Sequence, residues 1–313
     1  VGYYSKCKLK HNQEVFFKEL KVKHLKILYK CLIGEEVDAD TLIFNLNFIL
    51  NIVVKNIPPN IDFLDYFILL LEIRILSIGN KITLQLKEDT TLEVNLEQFS
   101  NILKSTNTED LLKPEIMPEG ITFYFRLPSI SEVSFFCKNQ EDLIYNFLDK
   151  IQIKNQIYNK DEFHSQRILN ILPAKFFAII NKRIQKIISY FNKINLLSYN
   201  EHIKGTELYF NFNIHNLVLL IKLLFGNHLM VLYENIFALC KIANFTPEYI
   251  ENCSPGEYIL FVKKLEEFNK SSSESSDTSH DLAPDMFGES VFEEPLNPYE
   301  SPNLPPVTSQ FTG

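Results

Sequence analysis

Residues 233–270 read YENIFALCKIANFTPEYIENCSPGEYILFVKKLEEFNK, two short amphipathic helices separated by a Thr-Pro turn. In the first, Tyr233, Ile236, Phe237, Cys240 and Ala243 recur at helical spacing on one face. Asn244-Phe245 ends it, and Thr246 can cap the next turn with Pro247 at its first position. Ser254-Pro255-Gly256-Glu257 then reads as a capping box, because Ser and Glu three residues apart can satisfy each other's backbone N–H groups. The helix that follows has an apolar stripe of Tyr258, Phe261, Val262, Leu265 and Phe268, with Lys263, Lys264, Glu266 and Glu267 on the solvent side.

Working outward, the same periodicity predicts helices over 17–33, 40–55, 62–78, 140–157, 173–196 and 215–232. Alternation predicts strands over 82–86 and 91–96, joined by a polar turn, and over 121–127 and 207–212. In the hairpin, Ile82, Leu84 and Leu86 share one face with Leu92, Val94 and Leu96 opposite. Helices outweigh strands and do not alternate regularly with them, so the fold class is α+β, mostly helical with a small antiparallel sheet. A division near Asn139 would separate residues 1–139, helices plus hairpin, from a mainly helical 140–270, unless 207–212 joins the hairpin and makes one domain.

Two further segments carry weight. LLLEIRILSIGNKITL, residues 69–84, contains Arg74, Ser77 and Gly79 in an Arg-x-x-Ser-x-Gly pattern, and GITFYFRLPSI, residues 120–130, closes a strand on Leu127-Pro128. With residues 233–270, these segments resemble the T4-type phage baseplate hub subunit and hub-assembly protein family. The resemblance takes in much of residues 60–269; the first 35 residues and the chain beyond Lys270 carry none. It implies a virion-assembly protein rather than an enzyme, with other tail and hub proteins as partners. The implied location is the host cytoplasm during assembly or the tail baseplate of the virion.

Charge is unevenly distributed. From Ser271 to Gly313 there are eight carboxylates and no Lys or Arg, which leaves thirty-one acidic against thirty-one basic residues in 1–270, so the whole net charge of −8 belongs to the tail. Its Ser-rich opening and six prolines predict a disordered acidic segment, 271–313. Met286, Phe287, Val291, Phe292, Leu296 and Tyr299 recur among the acids. That alternation suits a basic, apolar groove in a partner or on the chain's own body, against the plainer reading of a linker with scattered aromatics. Residues 1–30 carry eight lysines against two acids and no Arg, a pattern that fits the solvent face of a helix better than nucleic-acid readout.

The chemistry of enzymes finds little purchase. The nine glycines are never closer than 21 residues apart, which excludes a dinucleotide fingerprint and a P-loop. Seven histidines show no zinc-motif spacing, and five scattered cysteines form no Cys-x-x-Cys pair, which fits the reducing cytosol and no disulfide framework. Asp38-Ala39-Asp40 could share a cation but sits where a helix begins, the ordinary place for a cap. Asp161, Glu162, His164 and Ser165 have the residue types of a hydrolase without its nucleophile elbow. The apolar runs at 66–71 and 217–221 fall far short of the ~20 residues that span a bilayer, so no direct membrane insertion is expected.

The sequence therefore supports a non-enzymatic hub subunit or hub-assembly factor acting through protein-protein contacts, with no catalytic, cofactor or metal residue. Its expected partner-binding residues are Arg74, Lys263, Glu266, Glu267, Phe287, Phe292 and Tyr299. The alternative is a regulatory adaptor whose acidic tail occupies a basic groove on a host or viral enzyme.

Overall fold

A computed structural model describes residues 4–10, 13–33, 37–59, 61–87, 90–133, 140–165, 168–197, 208–210, 214–226 and 229–274. The chain runs β1 (Ser5–Lys8), β2 (Glu14–Phe17), α1 (Val22–Cys31), α2 (Ala39–Val53), β3 (Val54–Lys55), α3 (Phe63–Ile78), β4 (Lys81–Lys87), β5 (Thr90–Asn95) and α4 (Leu96–Ser105). It continues β6 (Glu115–Met117), β7 (Ile121–Phe125), α5 (Ile130–Val133), α6 (Gln140–Phe147), β8 (Leu148–Ile153), β9 (Gln156–Asn159), α7 (Lys160–Ser165) and α8 (Ile168–Ile171). Five helices follow: α9 (Ala174–Phe191), α10 (Ile214–Phe225), α11 (Leu229–Ala243), α12 (Pro247–Asn252) and α13 (Pro255–Glu274). The fold is α+β and mainly helical, with three small antiparallel meanders ordered β1-β2-β3, β4-β5 and β6-β7-β8-β9.

Helix α3 is the centre of the larger core. Twelve of its residues are buried, Arg74 among them, and Leu76 is its one exposed residue, so it has no broad polar face turned to solvent. Asp62 caps it by accepting from Asp65 N at 2.8 Å. Gly79 ends it at φ +119°, a conformation that an L side chain rarely adopts. The hairpin forms with the expected faces, Ile82 opposite Val94 and Leu84 opposite Leu92, all four buried, but Leu96, expected in its second strand, begins α4. A second, smaller core of Val22, Leu229, Leu232, Ile236, Leu239, Ile250, Tyr258 and Leu265 joins α11, α12 and α13 to α1, and Tyr29 packs against both cores.

Several expected elements change. The helix over 17–33 is a strand and then a shorter helix: Val15 and Phe17 alternate inward along β2, and α1 starts only at Val22. The helix over 140–157 stops at Phe147. From there β8 pairs with β7 and β9, Ile151 is fully buried, and Lys154 turns between the strands at φ +55°. Its isoleucines satisfy period 2 as well as 3.6, and tertiary pairing decides. The β7–β8 pairing also crosses residue 139. The helix over 215–232 breaks at Gly226, φ +78°, into α10 and α11. Of the 207–212 strand, Tyr209 bridges to Asn195, while 207 and 211–212 lie outside the described residues. Residues 271–274, assigned to the tail, extend α13; the rest of the tail lies outside the described residues.

Candidate docking surfaces

The two motifs inside the body hold opposite ends of α3. At its start, Phe63 N donates to Pro128 O at 2.8 Å, so the Leu127-Pro128 turn seats the first turn of the helix. Beside it Glu132 accepts from Ser129 N at 2.7 Å, from Arg126 and from Lys160. Burial works against that carboxylate's charge, but those donors outweigh it and hold Glu132 well below the usual range, at about 2.

At the other end, the Arg74 guanidinium donates to Leu224 O and, at 2.7 Å, to Gly79 O. Ser77 Oγ donates to Ile73 O at 2.6 Å and accepts from Leu20 N at 2.8 Å, fixing the entry to α1. A Cβ on Gly256 would lie 3.3 Å from Ser77 O, so the start of α13 approaches closely here. Tyr29 Oη donates to Phe225 O at 2.6 Å, beside the carbonyl that Arg74 holds. Arg74, Ser77 and Gly79 thus tie α3 to α1, to the end of α10 and to the hairpin. Arg74 is buried, at 6% exposure. Its charge is met by backbone carbonyls, one of the two solutions that a buried arginine has.

The C-terminal caps form as read. Tyr249 N donates to Thr246 Oγ1 at 3.2 Å, Ser254 N to Glu257 Oε2 at 2.8 Å, and Glu257 N to Ser254 Oγ at 3.2 Å. Lys263 and Glu267 are exposed and Glu266 half-buried. The apolar stripe is less buried than expected, since Phe268 is exposed along with Leu260. On α11, Tyr233 and Phe237 face out, and Leu232 and Leu239 take the inward places. Phe287, Phe292 and Tyr299 lie outside the described residues.

The surface that the sequence reading missed is on α2. Leu42, Ile43, Leu46, Ile49, Leu50 and Val53 face the core, yet Phe44, Phe48 and Ile52 are 70%, 49% and 42% exposed. These three sit at i, i+4 and i+8, one straight stripe, and no charged residue lies between Asp40 and Lys55. The signal was present: a helix apolar on more than one face has more greasy surface than one core contact can take. Contiguous exposed apolar side chains of this kind mark an interaction site rather than ordinary surface.

Asp38 caps α2, accepting from Asp40 N and Thr41 N at 3.3 Å each. Glu162 Oε2 accepts from Asn159 N at 2.8 Å. The side chains of His164 and Ser165 lie outside the described residues. Among the described residues no group of three His, Cys, Asp or Glu side chains is placed to hold a metal. Cys7, Cys31, Cys240 and Cys253 are free thiols. One stretch, Val218–Ala243, is long and apolar enough by length and composition to cross a membrane, and Gly226 divides it between α10 and α11.

No curated protein and no solved structure matches the chain. The sequence does match the family described as T4 bacteriophage base plate protein over residues 2–214. That span includes both α3 motifs and the N-terminal residues in which the sequence reading had found no resemblance, and it stops before 233–270, where that reading found the most. With more than half its length matched, and with the matched motifs anchoring the two ends of its central helix, the chain belongs to the T4 bacteriophage base plate protein family.

Proposed function

We propose that this protein is a baseplate hub subunit or hub-assembly factor that acts without catalysis, by presenting helix faces to other phage tail proteins. The observation that carries the reading is the uncharged α2 stripe of Phe44, Phe48 and Ile52, apolar surface that a protein partner would cover. The exposed end of α13, with Lys263, Glu266 and Glu267 around Leu260 and Phe268, is a second contact of the same kind. Arg74 supports both indirectly, by fixing the frame from which these faces project.

Affinity capture of the full chain from infected cells, with partners read by mass spectrometry, tests this. Tail hub proteins should be recovered with the native chain and lost with Phe44→Ser/Phe48→Ser. Recovery of a host enzyme in their place, unaffected by that variant, would favour the adaptor reading instead. Stoichiometric chain in purified virions would mark a permanent subunit, and its absence a factor that leaves.

A further inference from the structure

We infer that the acidic C-terminal segment of this chain docks on its own α1–α2 face, with the tail aromatics on the Phe44, Phe48 and Ile52 stripe and tail carboxylates against the neighbouring lysines. The inference stands apart from the baseplate reading, since it concerns only how the chain covers its own surface.

Three observations converge on that occupant. The first is charge. The chain beyond Glu274 holds seven carboxylates and no Lys or Arg, whereas α1 holds Lys23, Lys26 and Lys30 and no acid. Lys26 is committed to Glu251 at 2.7 Å, but Lys23 bonds the neutral Asn252 side chain, Lys30 is exposed, and Lys55, also exposed, lies over the Tyr4 ring at 4.0 Å. Asp38 and Asp40 are the acids at the start of α2, and Asp38 is engaged as its cap. The second is the pairing of charge with apolar surface. Helix α1 packs on α2, and Cys31 of the one lies near Asn45 of the other. Lys30 precedes the one and Phe44 the other, so an exposed lysine and the first residue of the stripe flank the packed α1–α2 pair. The tail has the matching composition, with Phe287, Phe292 and Tyr299 set among Asp285, Glu289, Glu293, Glu294 and Glu300. Helix α9 is also basic, with Lys175, Lys182, Arg183 and Lys186, but Lys175 is paired with Glu119, Arg183 holds the Asp110 and Lys113 carbonyls, and Tyr190 is the one large apolar side chain it exposes, against three in line on α2.

The third is reach. Helix α13 packs on α1 and α3 and is 20 residues long, or roughly 30 Å. The 39 residues that follow Glu274 have a root-mean-square span of roughly 35 Å as a flexible chain, enough to return along the helix to α1. Tethering also raises the tail's effective concentration at the face to the millimolar range, so weak contacts suffice to keep it covered. A partner for α2 would then have to displace the tail first.

Zero-length carbodiimide cross-linking of the full chain tests this, because it joins lysine to carboxylate only where they touch. Equal amounts of light and ¹⁵N-labelled chain are mixed so that mass spectrometry separates links within a chain from links between chains. The expected result is intrachain links from Glu289, Glu293 and Glu294 to Lys23, Lys30 and Lys55. They should fall about tenfold in Phe44→Ser/Phe48→Ser, where two aromatic contacts are gone. Phe287→Ser/Phe292→Ser/Tyr299→Ser should lower them equally, and because it leaves α1 and α2 unaltered it separates loss of the tail anchors from damage to the face. Links between chains would make a second copy the occupant and overturn the proposal. So would links concentrated on the α9 lysines, links spread evenly over all lysines, or α1 links unchanged in both variants.

Discussion

Arg74 sits inside the protein with its hydrogen bonds ending on carbonyls, Leu224 O and Gly79 O, and burial pushes its guanidinium down to about 10. Removing the side chain leaves two buried carbonyls unmet and a space where α3 meets α10. Arg74→Ala should therefore cost about 3 kcal/mol in urea unfolding. Arg74→Lys should recover only part of that, since a single ammonium cannot reproduce the planar fork. A loss below about 0.5 kcal/mol for Arg74→Ala, the range of ordinary surface substitutions, would show that the latch is not structural. Two other buried groups make stability depend on pH. Burial, helped by Lys23, Lys18 and Lys21, pushes His24 down to about 4. The unfolded imidazole, near ~6.5, binds its proton more tightly. Its contribution is therefore fully present above about pH 6.5 and is lost as pH falls toward 4. Glu132, held at about 2 by its donors against the effect of burial, contributes above about pH 4.3 and loses that contribution as pH falls toward 2. Unfolding midpoints measured across this range should decline in two stages. His24→Gln should flatten the upper stage and Glu132→Gln the lower, whatever each variant's stability at neutral pH.

At the scale of elements, α2 separates stability from binding. Phe44 and Phe48 are exposed, so Phe44→Ser/Phe48→Ser should change the unfolding free energy by no more than about 1 kcal/mol, most of it helix propensity. Leu46→Ala and Leu50→Ala on the opposite face should each cost about 3 kcal/mol. A large loss from the serine pair would mean that the stripe is already buried within the molecule. Elements whose signals are local were legible in the sequence: the caps of α12 and α13, the hairpin register, and α3 with Asp62 before it and Gly79 after it. Helix α4 was legible and passed over. Asn95 caps it and Leu96, Phe99 and Leu103 form its buried face, but Leu96 also completes the alternation of the preceding strand. Strands β8 and β9 were not legible, because their isoleucines fit either period and the choice depends on β7, some 25 residues away. Strand β3 is two residues long and exists only because Phe16 and Phe17 lie beside it. The α2 stripe could be read from composition as excess apolar surface. Which face would be left over could not, because that is set by where α1 and α5 pack.

The described residues of the molecule are built around two cores of unequal size, joined along α1 and α3. The larger gathers the three sheets with α1–α6 and α8–α10, while the smaller has eight buried residues, chiefly from α11–α13, closed against α1 by Val22. Matched family sequence ends at residue 214, just where α10 begins, so every buried residue of the smaller core except Val22 lies beyond it. The seam runs along α1 and the end of α3. Val22 N donates to Cys253 O at 3.1 Å, Lys26 pairs with Glu251 and lies over the Tyr233 ring, Lys23 bonds Asn252, and the start of α13 closes on Ser77 O at Gly256. Local opening follows the least-buried cooperative unit, so α11–α13 should open at lower free energy than α3, whose amides should require global unfolding. Val22 tests this because it is fully buried in the smaller core while standing on a helix of the larger one. Native-state hydrogen exchange of Val22→Ala should lower the opening free energy of amides in 229–274 by about 2 kcal/mol, the cost of an aliphatic truncation in a small core. Amides of α3 should shift by no more than the change in global stability. If α3 and α11–α13 exchange at one common free energy in the native protein and move together in the variant, the two cores are a single cooperative unit. The C-terminal helices would then be as much a part of the frame as the helix that Arg74 anchors.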